Sequence, residues 1–491
     1  MIDPYYPSPN MQNTDMYNIS SNQHLININD DQKENYRTST VKFNASPKYQ
    51  DVWATVLFVL VVIATIIIGV VSIPNMNLEI IYDTDDKKNK RNIDGTSTVD
   101  IIIMLGAGII SSILLTVLYM ILMQRFAGKM IIGTFIIAIT LNIIYAIVTF
   151  FFNMFMGIAM IFFALLYILC FYLWRSRIPF AKIMLSTVTT ITKKYPATIF
   201  VGFLGSFIGA IWYGAIGITM VAAITYFNEK IGSICYLIYV FLLFSFYFSS
   251  QVINNTVHVT ISGLFATYYF NGIVESNTGK VRVDVKNPTW KSFKRAITTS
   301  FGSICYGSLI IAIIDTLKAL ARSAEEDASE NGNCIVAILA CCVECILSCI
   351  GKMIEYFNKY AFTEVAIYGK SYCQAAKDTW ELCMSHGIDA LINDNLIGNV
   401  LSIGSLCVGC ISAVVVVVIG FILGIKTAIA FVIYGIAAFL IGCMIFSVVA
   451  QVINSGVATT FVCLCEDPDA LRYTKPELWE KIRETYPSIV L

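Results

Sequence analysis

Apolar segments long enough to cross a bilayer recur along the chain, at about residues 53–73, 100–123, 130–151, 154–174, 198–224, 232–254, 296–319, 333–351, 396–424 and 427–452. A helix needs about 20 such residues to span the hydrocarbon core, where backbone polar groups must be satisfied within the segment. The expected fold class is therefore an all-α polytopic membrane protein with about ten transmembrane helices. Composition agrees: 57% of residues are hydrophobic and 13% charged, against about 25% charged in soluble domains. The 33 basic and 33 acidic side chains cancel, so no overall field draws a nucleic acid. The expected partner is the lipid bilayer, and no nucleic acid.

Residues 1–52 are polar, with runs such as Asn27-Ile28-Asn29-Asp30-Asp31, and read as a disordered tail. Residues 53–452 form the membrane domain, and 453–491 a second tail. No signal peptide is expected ahead of the first span. Arg175, Arg177, Lys182, Lys193 and Lys194 separate spans four and five, and Lys280, Arg282, Lys286, Lys291, Lys294 and Arg295 separate spans six and seven. The positive-inside rule makes both stretches cytoplasmic, together with both termini. One loop, 74–99, sets Lys87, Lys88, Lys90 and Arg91 against Asp83, Asp85, Asp86 and Asp94 on the outer side. The stretch after Asn255 reads as a continuation of helix six at or beyond the inner surface, and 356–372 as a possible re-entrant half-helix.

Gln251-Val252-Ile253-Asn254 near the end of span six recurs as Gln451-Val452-Ile453-Asn454 near the end of span ten. Spans five and nine, one hairpin earlier, carry Gly202, Gly205, Gly209 and Gly398, Gly404, Gly409. Spans three to six and seven to ten are thus expected to be two parallel four-helix repeats, preceded by two N-terminal spans. Transporters built from repeats bind solutes at the interface between the halves. Small residues at such spacings also simply allow close helix packing, and that reading is favoured for the glycines.

Tyr247, Gln251, Asn254 and His258 are spaced to share one helix face, and Ser447, Gln451 and Asn454 repeat the first three positions. An unpaired amide in hydrocarbon costs several kcal/mol, so both stripes face protein or a watery passage. Interhelical hydrogen bonding and the lining of a polar path are equally open readings. Glu344 is the clearest acid inside a span, as a cation's partner or as a protonated hydrogen-bonding group. Trp212 and Tyr213 follow the Gly205–Gly209 notch; ring faces recognise a quaternary ammonium, which has no hydrogen to donate, at about 0.5 to 2 kcal/mol each. Cys341, Cys342, Cys345 and Cys349 read as small hydrophobes rather than a zinc set. Cys463 and Cys465 are possible S-acylation points.

No Gly-x-x-x-x-Gly-Lys-Ser/Thr phosphate loop occurs, and the three histidines fit no catalytic pattern. Nor is there voltage-sensor arginine spacing or a potassium-filter run. No cofactor, metal or enzymatic activity is expected, and a gradient-driven carrier survives the elimination best.

Particular stretches are similar to a known family. Phe244-Ser245-Phe246-Tyr247-Phe248-Ser249-Ser250-Gln251-Val252-Ile253-Asn254-Asn255-Thr256-Val257-His258, Ser300-Phe301-Gly302-Ser303-Ile304-Cys305-Tyr306-Gly307, Asn358-Lys359-Tyr360-Ala361-Phe362 with Tyr368-Gly369-Lys370-Ser371-Tyr372, and Cys465-Glu466-Asp467-Pro468 resemble the choline transporter-like family, in its fungal and protist branch. The segment 358–378 is the most specific. The resemblance implies ten helices, cytoplasmic termini, and transport of choline or related amines across the plasma membrane or organelle membranes. The expected substrate-binding residues are Trp212, Tyr213, Tyr247, Gln251, Asn254, Glu344, Gln451 and Asn454, serving an alternating-access carrier of choline or a similar small organic cation. The alternatives are ethanolamine or another solute, or a membrane organiser without transport activity.

Overall fold

The computed structural model describes residues 48–75, 98–231, 235–274, 281–283, 285–423, 428–474, 479, 480 and 483. The 74–99 loop charges, most of the first tail and the end of the second lie outside them. The order is α1 (Val52–Ser72), α2 (Thr98–Phe152), α3 (Met154–Trp174), α4 (Ile178–Lys194), α5 (Ala197–Ile231), α6 (Cys235–Asn271), β1 (Gly272–Val274), β2 (Val281–Val283), α7 (Pro288–Ala296), α8 (Phe301–Glu330), α9 (Cys334–Tyr368), α10 (Tyr372–Ile422), α11 (Ala428–Glu466) and α12 (Asp469–Thr474). Among the described residues nine helices are long and apolar enough to cross a membrane. The two strands form one antiparallel hairpin, Gly272 opposite Val283.

Apart from a few residues at their ends, the described parts of the ten apolar segments fall in these helices, two of them in one. Segments 100–123 and 130–151 are the arms of α2, which breaks helical geometry inside only at Phe126 (φ −124°, ψ 27°). At 1.5 Å per residue its 55 residues would run about 80 Å, against about 30 Å of hydrocarbon. The first arm packs on α10 and α11, where Ser112 Oγ donates to Ser412 Oγ (2.9 Å) and Tyr119 OH to the Val400 carbonyl (2.7 Å). In the second arm, Phe135 stacks on Tyr167 of α3, ring centroids 5.4 Å apart. The basic stretch after span four is not a loop: most of it is α4, which packs on α2 and α11 and buries Leu185, Val188 and Ile191 in the main core.

Helices α6, α9 and α11 have 37, 35 and 39 residues, so each runs about 50 to 60 Å and outlasts the bilayer at one end. Those ends are buried on every side: 257–269 of α6, 360–367 of α9 and 455–464 of α11. They form the main core with α4. The continuation past Asn255 is thus a straight extension of α6. The 356–372 stretch is not a separate half-helix: it is the end of α9, stopped at Gly369 (φ 65°), a left-handed cap that glycine takes without strain. By contrast no residue in the most apolar window of α9 is buried. Cys342, Cys345 and Cys349 face outward there. Cys463 is fully buried, which removes it as an acylation point, since a lipid chain cannot reach an enclosed thiol.

The chain enters the bundle through a tight contact. Asp51 Oδ2 accepts from Ser303 Oγ (2.8 Å) and from the Tyr372 backbone N–H (2.7 Å), joining the start of α1 to α8 and α10. Gly302 makes this possible, because a Cβ there would lie 2.2 Å from the Gln50 carbonyl oxygen and 2.5 Å from that of Asp51. Gly302→Ala is expected to cost about 1–3 kcal/mol and to lower the melting temperature of the detergent-purified protein. Gly106→Ala, whose Cβ meets nothing within 4 Å, should leave it level or higher.

Candidate functional site

Seven of the eight residues singled out in the sequence stand on three mutually packed helices, α5, α6 and α11. Glycines set their spacing: a Cβ at Gly205 would lie 2.4 Å from Val257 of α6, and one at Gly202 2.8 Å from Val448 of α11. These glycines are thus close-packing positions. Gly209 differs, because its missing side chain leaves room for the Tyr213 ring on its own helix, about 3.1 Å from where a Cβ would be.

Helices α6 and α11 run in register at an offset of 197, given by Gln451 Nε2 donating to the Asn254 carbonyl (3.4 Å) and by the contact of His258 Nδ1 with Ser455 Oγ (2.8 Å). This register orders the groups by depth. Furthest from the buried ends are the rings: Tyr213 meets Phe246 edge-to-face at 5.4 Å, and Phe246 meets Tyr247 at 5.6 Å. A turn further in lies half-buried Gln251, then Asn254 beside Gln451, then half-buried Asn454. Trp212 is half-buried, and its indole Nε1–H, itself shielded, has no acceptor among the described residues. Ser447 returns its hydroxyl to the Met444 carbonyl of its own helix.

Glu344 does not join them. It is half-buried in the outward-facing stretch of α9, without a hydrogen bond or ion pair among the described residues. An acid inside an apolar span draws notice in a sequence, but hydropathy does not say which face carries it.

Below Asn254 the column ends in a hydrogen-bonded plug. The imidazole of His258 is buried between Ser455 Oγ and the Lys359 carbonyl (2.9 Å). A carbonyl only accepts, so Nε2 carries the proton, and in the neutral ring Nδ1 accepts from Ser455. Around it, Asn255 Nδ2 donates to Ser308 Oγ (2.9 Å) and Asn358 Nδ2 to the Gly307 carbonyl (3.2 Å). Lys359 pairs with Asp394 at 2.9 Å, where Tyr360 OH also donates, and Tyr368 OH donates to Glu466 (3.0 Å). These bonds tie α6, α8, α9, α10 and α11 together at one end. Beside them Lys370 bridges Glu364 (3.2 Å) and Asp378 (2.6 Å).

Of this plug the sequence reading had only His258 and the distinctiveness of 358–378. The available signal was a run of polar residues, Asn358, Thr363 and Glu364, with no exposed face for them to occupy.

Such a bundle of long apolar helices, tied together by hydrogen bonds at one end, defines an all-α polytopic membrane protein. A family model described as plasma-membrane choline transporter matches residues 158–469. The chain is 34% identical to a CTL-like protein of Dictyostelium discoideum over 92% of its own length and 78% of that protein's. It is also 31% identical to Protein PNS1 of Gibberella zeae (91% and 84% covered) and 32% to Protein PNS1 of Neurospora crassa (90% and 81%). The chain belongs to the choline transporter-like family, a family of membrane transporters.

Proposed function

We propose that this protein carries choline, or a similar small organic cation, across the plasma membrane by alternating access, with both termini and the plugged end cytoplasmic. The observation that carries the reading is the column from Tyr213, Phe246 and Tyr247 through Gln251, Asn254 and Gln451 to the His258 plug, in a member of this family. The rings offer faces to a quaternary ammonium. The Trp212 N–H is a donor for the hydroxyl oxygen of choline, and the amides replace water around the rest of the solute. Glu344 lies outside this path.

Alternating access then means opening the plug. Neutral hydrogen bonds contribute about 0.5–1.5 kcal/mol each net, so losing the three around His258 and Asn255 is commensurate with the few kcal/mol that separate two exchanging states. An inside-negative potential contributes about 2.3 kcal/mol per charge at 100 mV, enough to concentrate a monovalent cation about fiftyfold without a coupled ion. Proteoliposomes given a potassium gradient and valinomycin are expected to take up labelled choline to higher levels as the potential grows. Uptake indifferent to the potential would remove the uncoupled mechanism.

A further inference from the structure

Helix α7 has three distinct faces. Pro288, Ser292 and Ala296 are buried, so close to α6 that a Cβ on Gly263 would lie 2.9 Å from Ser292 Oγ. Trp290 and Ile297 are exposed, at 64% and 44%, and Trp290 packs on Phe293 (5.6 Å). Lys291, Lys294 and Arg295 form the third face, and it lines a cleft of about 590 Å³ between α7, the end of α6, the turn 298–300 that leads into α8, and Ala366 of α9.

The lining has the chemistry of an anion site. Its described residues include these three cations, Asn271, Ser292 and Ser300, and no carboxylate. Lys291 and Lys294 have no ion-pair partner among the described residues. Ser300 is 1% exposed, and its hydroxyl, shielded from solvent, has no hydrogen-bond partner there. A buried hydroxyl without a partner costs about 1–3 kcal/mol, and an anion in the cleft would accept from it.

We propose that this cleft binds an anionic phospholipid through a phosphate monoester on its headgroup, with Lys291 and Lys294 neutralising the phosphate and Ser300 Oγ donating to it. The lipid rather than a free phosphate is favoured by the stripe of exposed Trp290 and Ile297 and half-buried Phe293 next to the basic face. This is the pattern of a helix lying in the interface, where aromatic and aliphatic groups enter the acyl boundary and basic groups meet headgroups. The proposal rests on the cytoplasmic orientation given above, the side on which such lipids are exposed to basic clefts.

The test is a thermal-shift titration of the full-length protein in detergent, where both faces are open, so that binding is read independently of orientation and of transport. Dioctanoyl phosphatidylinositol 4,5-bisphosphate should raise the melting temperature saturably. Each lysine near an anionic headgroup contributes about 1 kcal/mol, so Lys291→Gln with Lys294→Gln should weaken the apparent affinity about thirtyfold. Ser300→Ala should weaken it about fivefold while leaving the ligand-free melting temperature unchanged or higher, since the hydroxyl lost had no partner. Equal affinity for inositol 1,4,5-trisphosphate, which has the phosphates but no acyl chains, would overturn the lipid assignment. So would an equal shift with dioctanoyl phosphatidylcholine, and wild-type affinity in both variants would overturn the site.

Discussion

Replacing Lys370 by Met should destabilise the folded protein by about 3–5 kcal/mol, the cost of leaving a buried charge without its partner. Lys370 Nζ lies 3.2 Å from Glu364 and 2.6 Å from Asp378, and 4.0 Å above the Tyr368 ring. The Glu364 side chain is 1% exposed, and its Oε1 has no partner of its own. Without the ammonium that carboxylate has no cation and keeps Glu466 nearby. The melting temperature of the detergent-purified protein should fall by several degrees and its yield with it. Adding Glu364→Gln should recover much of the loss, because the uncompensated charge goes with the cation. A Lys370→Met protein as stable as wild type would mean that water already solvates the carboxylate. Burial lowers the lysine's affinity for its proton, but the Asp378 bond and the Glu364 charge raise it further, so its pKa stands above the usual lysine value. On the lysine's side the clamp's contribution is therefore lost as pH rises through the folded value. On the acid's side burial raises Glu364 to about 7, so its pair with Lys370 weakens as pH falls through that value.

This clamp also shows where a sequence stops being legible. Span positions follow from hydropathy because lipid imposes one rule on every residue of a segment, and the expected segments accordingly fall within helices. Lys370, Asp378, Lys359 and Asp394 carry no such signal. They look like ordinary loop charges, and what pairs them is the extension of α9 and α10 beyond the bilayer into a core of their own. The distinctiveness of 358–378 was visible, but its physical origin was not: a glycine cap at 369, an ion-pair bridge, and the Tyr372 N–H held by Asp51. The joining of two spans in α2 was hidden for another reason. Gln124, Arg125 and Lys129 break the apolar pattern without breaking helical propensity, so helix resumes at once on the far side of the kink at Phe126, where hydropathy reports a gap. Cys463 and Glu344 share a third cause, since composition gives depth along a helix but not the face on which a group lies.

The stripe residues were legible because amides in an apolar helix have few affordable places to be, yet their spacing fits both a solute path and plain interhelical bonding. The structure sharpens the difference by showing how little bonding they do. Gln251 makes no hydrogen bond within the described residues, and Gln451 makes one long bond, to the Asn254 carbonyl at 3.4 Å. Interhelical hydrogen bonds of this kind contribute about 0.6 kcal/mol on average. Gln251→Leu with Gln451→Leu should therefore hardly change the melting temperature. Labelled choline uptake into proteoliposomes should fall between about thirtyfold and a hundredfold, as expected when two polar contacts worth about 1–1.4 kcal/mol each are withdrawn from a solute in transit. Ser447→Ala supplies the control within the same stripe: its hydroxyl is already spent on the Met444 carbonyl, so uptake should stay at the wild-type level. If the double leucine variant transports as well as wild type, the amides serve packing alone and the path lies elsewhere in the bundle. If it loses stability in step with uptake, they are structural, and the carrier reading loses the column on which it rests.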